Sequence, residues 1–298
     1  MNNSIFSEFY KTHVDNDENA IYNSMKTIMS QSITCLEERY NSKQIYDTFI
    51  NTNFGPLKFH KGDLIILAAP HFMSKTAFVL SLINQSPIPC GFISTGTIDN
   101  HTIGQNLLLM NSDVSLLRIR SGMLREEDIN KLCSVAHKLY SAPFYSYISP
   151  NCSLEDCLEK AKSLINEKQI QLLIIDDFDF IEDLIDCDKA KYKLNLEKKL
   201  QSLKEFARNN NIPLLITLEL DSVMEDSDLT LRNFNNKMII PNTADMVIFE
   251  QFKTNFTKED YYEAELKIAK DLNGNTEGII LPMKYYHTKG LFEIKKEK

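Results

Sequence analysis

The stretch "DLIILAAPHFMSKTAF", residues 63–78, decides the fold. It opens with an apolar run over residues 63–69, bends from Pro70 to Ser74, and continues as "KTAFVLSLI", which is predicted to begin a helix. A buried strand that passes through a short bend into a helix is the recurring unit of α/β proteins. The stretch therefore predicts one strand of a parallel sheet and a helix that covers it.

Five further apolar runs have the same texture, each bounded by Gly, Pro or polar residues. They are residues 89–95, 143–149, 172–178, 213–220 and 245–250. Helical patterns separate most of these runs, as in residues 153–168, where Ser153 is the predicted N-cap and Asp156 lies three residues further on. This alternation predicts buried parallel strands joined by crossover helices.

The two ends of the chain differ from this middle part. Residues 1–50 carry apolar side chains at helical spacing and predict an N-terminal helical extension, whose apolar face is covered either by residues 51–298 or by a neighbouring subunit. Near the C-terminus, turns at Asn273-Gly274 and Lys289-Gly290 predict a set of antiparallel β-strands. The predicted organisation is an extension, residues 1–50, and one α/β domain, residues 51–298.

Composition and charge argue against several classes of protein, namely general polyanion binders, zinc-binding proteins and membrane proteins. The chain has 298 residues, 43% of them hydrophobic, and a formal net charge of −8, which argues against indiscriminate binding of polyanions. The cysteines lack the two-residue spacing of zinc ligands, so we expect reduced thiols. No run of about 18 apolar residues occurs and the first residues do not resemble a signal peptide, so we expect a cytoplasmic protein without membrane contact.

The bend before Lys75 has the pattern of a phosphate-binding loop, with one departure. Such a loop turns its N–H groups toward phosphates and ends in Lys and Ser/Thr, so Lys75 would reach the β and γ phosphates and Thr76 would hold Mg²⁺. Ser74 stands where this pattern has Gly, and adds a side chain close to the phosphates. Asp176 follows a predicted strand, where such proteins place the carboxylate that holds Mg²⁺ through water. Together these residues predict a site for ATP and Mg²⁺, although an ordinary strand-to-helix turn also fits the bend alone.

From about residue 60 onward, the chain resembles the C-terminal, RecA-like domain of DnaB-type replicative DNA helicases. The matching stretches, in order, are "GDLIILAAPHFMSKTAF", "LLRIRSGMLREEDINKL", "LYSAPFYSYIS", "QLLIIDDFDFI", "FARNNNIPLLITLEL", "TADMVIFEQF" and "AELKIAKDLNGNTEG". The resemblance implies a RecA-like P-loop NTPase core that forms a ring, translocates on single-stranded DNA and binds ATP between subunits. It also implies that residues 1–50 correspond to a linker-helix region that packs on the adjacent protomer, while a full N-terminal domain for primase contact is not expected in this chain.

The sequence departs from the family where hydrolysis takes place. The family's general-base glutamate matches Gly96, and its γ-phosphate-sensing glutamine matches Glu219. The Lys-x-Arg pair that the family inserts into a neighbour's nucleotide matches Lys270 and Leu272, so the lysine is kept and the arginine is lost. Asp177 or Glu219 is the candidate for a substitute base, because many P-loop ATPases place a water-activating acid at the position of Asp177.

The resemblance also indicates where DNA would be contacted. The matching segments are residues 183–195 and 227–243, and their basic candidates are Lys189, Lys191, Lys193, Arg232 and Lys237. Lysines that lead a helix also occur as an ordinary solvated face, so strong gripping of a strand does not follow.

Three hypotheses result from these observations. The favoured one is a helicase-derived protein of DNA replication that binds nucleotide, hydrolyses it weakly or not at all, and acts by binding a replicative helicase, its loader or DNA. The second is an active ATP-dependent helicase or translocase that uses Asp177 or Glu219 as base. The third is a RecA-like regulatory protein without DNA contact. The expected partners are further copies of this chain or a replicative helicase or its loader, with single-stranded DNA as a further candidate.

Overall fold

The computed structural model describes residues 49–71, 74–86, 88–181, 184, 189–220, 228–254 and 261–295. Its strands are β1 (Phe49–Asn51), β2 (Lys58–His60), β3 (Leu64–Pro70), β4 (Cys90–Ser94), β5 (Phe144–Ile148), β6 (Leu172–Asp176), β7 (Leu214–Leu220), β8 (Met246–Thr254), β9 (Tyr262–Asp271), β10 (Ile280–Tyr286) and β11 (Leu291–Ile294). Its helices are α1 (Lys75–Gln85), α2 (Asn100–Met110), α3 (Leu116–Ser121), α4 (Glu126–Leu139), α5 (Leu154–Lys168), α6 (Lys189–Asn209) and α7 (Ile239–Thr243), with 3-10 turns at Phe178–Phe180 and Leu231–Lys237.

Nine of the described strands form one sheet in the order β11-β10-β9-β8-β3-β7-β6-β4-β5. The strands from β8 to β5 in this order run parallel, and β8, β9, β10 and β11 pair antiparallel. This confirms the predicted α/β sheet with an antiparallel C-terminal part. Because β3, β7, β6 and β4 are neighbours, their carboxyl ends meet at one edge of the sheet.

The apolar runs of the strands are explained by burial on both faces of the sheet. Successive side chains of a strand point to opposite faces, and Leu64 and Ile66 pack into one hydrophobic cluster while Ile65 and Leu67 pack into another. The first cluster includes side chains of α5 and α6, and the second includes those of α1. Each fully buried aliphatic side chain contributes about 1.5–3 kcal/mol, so helices on both faces stabilise the central strands.

Local details agree with the sequence except at one strand end. Ser153 caps α5, since its hydroxyl accepts a hydrogen bond of 3.1 Å from the N–H of Asp156. The apolar run over residues 172–178 leaves the sheet after Asp176, because Asp177 adopts a left-handed conformation with φ 60°. The predicted extension, residues 1–50, lies outside the described residues except for its last two, which belong to β1, and its boundary stays a prediction.

Candidate functional site

The predicted magnesium ligands meet at the carboxyl edge of the sheet. Thr76 is in the first turn of α1 and Asp176 ends β6, and the Thr76 hydroxyl donates to Asp176 Oδ2 at 2.7 Å. The other carboxylate oxygen, Oδ1, accepts a hydrogen bond of 2.7 Å from the Thr217 hydroxyl on β7. Burial raises the pKa of Asp176 to about 6, the neighbouring Asp177 adds to this shift, and the two hydroxyls oppose it.

Lys75 lies close enough to several acidic side chains to affect their pKa values. It is buried, with 7% of its surface exposed. Its positive charge opposes the raised pKa values of four carboxyl groups, each of which is raised mainly by burial: Asp176, Asp177, Asp179 and Glu250. The site therefore combines the expected phosphate-binding lysine with a strongly acidic surrounding.

Ser74 occupies the position before α1 that is unusual in the sequence. It is half-buried and its side chain does not cap the helix, while its carbonyl accepts a hydrogen bond of 3.1 Å from Phe78 N–H. The Ser74 side chain lies near the Tyr285 hydroxyl, whose pKa is raised mainly by burial, with Ser74 opposing the shift. Residues 72–73 of the bend lie outside the described residues. Ser74 thus links the start of α1 to strand β10.

Gly96 and Asp177 lie against each other. A Cβ atom added to Gly96 would overlap the Asp177 carboxylate and lie 2.8 Å from its Cγ. The Asp177 N–H donates to the Thr217 hydroxyl at 2.8 Å, which fixes the backbone that carries this carboxylate. The carboxylate of Asp177 therefore fills the space that a side chain at position 96 would need.

Glu219, the other candidate for a substitute base, already has a partner. Its carboxylate lies 2.8 Å from His71 Nδ1, and the glutamate side chain of the pair is 40% exposed. Its N–H donates at 2.7 Å to Asp179, a carboxyl group whose pKa burial raises to about 6. A negative side chain at this position would repel a phosphate rather than donate a hydrogen bond to it.

Glu250 is a feature of the site that the sequence analysis missed. It lies on β8, is fully buried, and neither of its carboxylate oxygens has a hydrogen-bond partner among the described residues. Burial raises the pKa of Glu250 to about 8, with Lys75 opposing the shift and Asp176 adding to it. A buried carboxyl group without partners is costly when it is charged, so Glu250 favours its protonated form.

Lys270 makes contacts within its own chain. Its Nζ donates to the carbonyls of Pro241 and Ala244, at 2.7 and 2.6 Å, where α7 ends. Burial lowers the pKa of Lys270, and the nearby Lys204 lowers it further. Leu272, at the position of the family's arginine, is 59% exposed.

The candidate DNA-contacting segments lie together. Lys237 Nζ is 5.4 Å from the centre of the Tyr192 ring. This contact connects the 3-10 turn Leu231–Lys237 with α6. Exposed basic residues on these segments are Lys191, Lys193 and Arg232. Lys189 begins α6, and its side chain lies outside the described part of the chain.

Among the residues that the structure describes, no helix is long and apolar enough to span a membrane. No group of three or more His, Cys, Asp and Glu residues there is arranged to hold a metal ion.

The sheet order and the flanking helices define a RecA-like α/β domain. The family model described as "DnaB-like helicase C terminal domain" matches residues 53–292. The chain belongs to this family.

Individual relatives agree with this assignment. The chain is 27% identical over 264 residues to the replicative DNA helicase DnaB of Treponema pallidum (strain Nichols), and the match covers 86% of this chain and 58% of the relative. Two solved structures share the fold at 16% identity. The first, an ATPase domain, has a TM-score of 0.73, and the match covers 90% of this chain and 99% of that structure. The second is a DnaB-like replicative helicase described with its interactions with primase. It has a TM-score of 0.69, and the match covers 96% of this chain and 70% of that structure.

Proposed function

We propose that this chain binds Mg²⁺ and a nucleoside triphosphate, hydrolyses the nucleotide slowly, and acts in DNA replication mainly by binding other macromolecules. The observation that carries this proposal is the contact of Thr76 with Asp176 beside the buried Lys75, at the edge where Gly96 provides no side chain. The residues suited to binding a nucleotide, Lys75, Thr76 and Asp176, are therefore present, whereas Gly96 provides no general base for hydrolysis.

The residues present fit a magnesium ion. Thr76 and Asp176 offer a hydroxyl and a carboxylate, the oxygen ligands that Mg²⁺ prefers. A bound Mg²⁺ would neutralise part of the phosphate charge. This contribution is needed here because the carboxyl groups of Asp176, Asp177 and Asp179 lie near Lys75 and repel a triphosphate when they are charged.

Slow hydrolysis follows from the groups that this chain lacks. Loss of general-base assistance costs about 10²- to 10⁴-fold in rate, and loss of an arginine finger about 10³- to 10⁵-fold. These factors do not simply multiply, because groups that act as one unit are not additive. Gly96 and Leu272 occupy the two positions.

One observation favours active hydrolysis as a second candidate. The carboxylate of Asp177 packs against Gly96, so an acid from the end of a neighbouring strand stands close to where the family's base begins. In this case Asp177 would accept a proton from the attacking water. Its half-buried position and raised pKa suit a base that works near neutral pH.

The proposed partners follow from the relatives. The chain spans 58% of the length of the Treponema pallidum helicase, so the activity of that whole protein is not transferred directly. We propose as partners a second copy of this chain, a replicative helicase ring or its loader, and single-stranded DNA along the segments that carry Lys191 and Arg232. A regulatory role without DNA contact is the outcome if binding of single strands is absent or does not weaken as salt rises.

Calorimetric titration of Mg-ATP, combined with measurement of the mass in solution, tests the binding proposal. We expect binding by the natural chain and by Lys138→Ala, an exposed lysine on α4, and loss of binding by Lys75→Ala. Absence of binding by the natural chain would refute the proposal.

Hydrolysis with and without single-stranded DNA separates the two candidates. Under the main proposal, the rate is far below a typical enzyme rate of about 10 s⁻¹ and Asp177→Asn leaves it unchanged. If Asp177 is the base, the natural chain turns over at a substantial rate, which Asp177→Asn lowers by about 10²- to 10⁴-fold.

A further inference from the structure

Two cysteine thiols lie close together at the start of α5. The Sγ atoms of Cys152 and Cys157 are 2.9 Å apart. A disulfide bond is about 2.0 Å long, so the two sulfurs are about 0.9 Å from bonding distance. Both cysteines are free thiols in this structure, and both are buried, with 8% of Cys152 and 0% of Cys157 exposed.

The backbone holds the two thiols in this position. Cys152 precedes the N-cap Ser153 and Cys157 is the fourth residue of the helix, an arrangement in which apolar side chains often pack together. Cys157 N–H donates to Ser153 carbonyl at 3.2 Å, and Cys152 N–H donates to Ser149 carbonyl at 3.3 Å. Both sides of the pair are therefore anchored, and a bond between them needs only a small movement.

The other described cysteines do not form such a pair. Cys90 is buried on β4, with its thiol 3.2 Å from the Ile88 carbonyl, and Cys133 is exposed on α4. Cys35 and Cys187 lie outside the described residues.

We propose that Cys152 and Cys157 form a reversible intramolecular disulfide when the protein meets a peroxide. The Cys152 thiolate attacks one oxygen of the peroxide, the O–O bond breaks, and Cys152 becomes a sulfenic acid while one water leaves. Cys157 then attacks the Cys152 sulfur, the S–S bond forms, and the hydroxyl leaves as a second water. The two cysteines lose two electrons and two protons, and the peroxide is reduced to two waters.

The order of the two steps follows from exposure. Cys152 keeps some access to solvent, whereas Cys157 has none. Burial also raises the pKa of the Cys157 thiol, and the hydrogen bond with Cys152 raises it further, which disfavours Cys157 as the first thiolate.

The pair lies next to the carboxyl edge of the sheet but does not depend on nucleotide. Asn151 N–H donates to the Thr95 carbonyl and Ser149 N–H to the Ser94 carbonyl, each at 3.0 Å. The disulfide would therefore fix a loop that borders Gly96, whether or not the site binds ATP.

Peptide mapping after oxidation tests the proposal on the natural chain. The reduced protein is treated with stepwise hydrogen peroxide, denatured, alkylated with N-ethylmaleimide and digested with trypsin. The peptide of residues 139–160 contains both cysteines, and we expect it to escape alkylation and to lose about 2 Da, the mass of two hydrogens. At doses that leave Cys133 reduced, alkylated cysteines fall from six to four, and dithiothreitol restores all six.

A second cleavage and matched variants make the test specific. Cleavage after Glu155 leaves two fragments that only the disulfide holds together. The change should disappear in Cys152→Ser and in Cys157→Ser and persist in Cys133→Ser. Alkylation of both cysteines in the natural chain, at a peroxide dose that already oxidises the exposed Cys133, would overturn the proposal. Because this result comes from the natural chain, it does not depend on the folding of a variant.

Discussion

The two edges of the parallel sheet both carry buried carboxylates, but they satisfy them differently. At the amino edge, Asp245 accepts a hydrogen bond of 3.0 Å from Leu64 N–H and pairs with Lys204 Nζ at 2.9 Å. Asp271 accepts hydrogen bonds from Gly274 and Thr276 in the loop after β9. These acids tie loops and helices to the sheet, so their role is structural.

At the carboxyl edge, the acids converge on one lysine. Asp176 has two hydroxyl partners, whereas Glu250 has none among the described residues, and both face Lys75. Buried polar groups are normally paired in proteins. The amino edge has one exception, since Asp63 keeps one carboxylate oxygen without a partner among the described residues and burial raises its pKa to about 7. The comparison teaches that acids at the amino edge are paired mainly with backbone N–H groups and Lys204, whereas those at the carboxyl edge share Lys75.

Removing Asp245 should give the largest effect. Asp245→Ala leaves Lys204 and the Leu64 N–H without their buried partner, and loss of one member of a buried pair costs about 3–5 kcal/mol. Urea unfolding measures this change. The control is Asp113→Ala, which removes an ion pair with Lys289 whose aspartate is 87% exposed, and should cost much less because solvent screens this pair. If Asp245→Ala and Asp113→Ala lowered the free energy of unfolding equally, Asp245 would not have the structural role inferred for it.

Glu250→Gln should stabilise the protein, with a sign opposite to Asp245→Ala. The pKa of Glu250 is raised from 4.5 to about 8, so the folded state holds its proton more tightly than the unfolded chain and stability falls as pH rises across this interval. Glutamine carries no such proton, so Glu250→Gln avoids this loss of stability. We expect its free energy of unfolding to exceed that of the natural chain by about 3 kcal/mol at pH 7 and to be almost equal at pH 4.

The pH dependence of unfolding has a matched control in Glu205→Gln, an exposed glutamate on α6. The charged and titratable groups that face Glu250 are Lys75, Asp176 and Tyr285. A stability gain for Glu250→Gln that is equal at pH 4 and pH 7 would show that its proton is not responsible.

Gly96→Ala should test the contact at the carboxyl edge. The added methyl group overlaps the Asp177 carboxylate, and overpacking of this kind costs about 1–3 kcal/mol. Asp177→Gly should restore stability in the double variant, because Asp177 has φ 60°, a conformation that glycine adopts without strain. A double-mutant cycle of thermal unfolding measures the coupling, and additive effects would contradict the contact.

Thr217→Val should have an effect no larger than that of Gly96→Ala. It removes the hydroxyl that donates to Asp176 and accepts from Asp177 N–H, at a cost of about 1–3 kcal/mol for the groups left unpaired. The exposed Thr288→Val is the matched control. Thr217→Val should unfold at a lower denaturant concentration than Thr288→Val. An unchanged midpoint for Thr217→Val would mean that water replaces the hydroxyl.

The fold could be predicted from local patterns because burial on both faces leaves a continuous apolar run. The runs that contain Ile65, Ile174 and Ile216 all became central strands. The contact of Thr76 with Asp176 was also within reach, since both follow strands whose carboxyl ends share an edge.

The remaining parts of the site depend on register and packing, which the sequence does not display. Thr217 is a single hydroxyl within "LLITLEL", and only the register of β7 with β6 brings it to Asp176. Glu250 ends the apolar run "MVIF", and its burial depends on coverage by distant segments. The sequence did give one indication of a buried acid, because Glu250 is a charged residue within the run 245–250 that was predicted to be buried.

The carbonyl contacts of Lys270 have a mechanical consequence. If this side chain reached toward another protein, it would first have to release the end of α7, and the helix would lose two stabilising hydrogen bonds. This movement would also loosen the stretch that leads back to Arg232. Spectroscopic labels on that stretch would report the release of Lys270 from a distance.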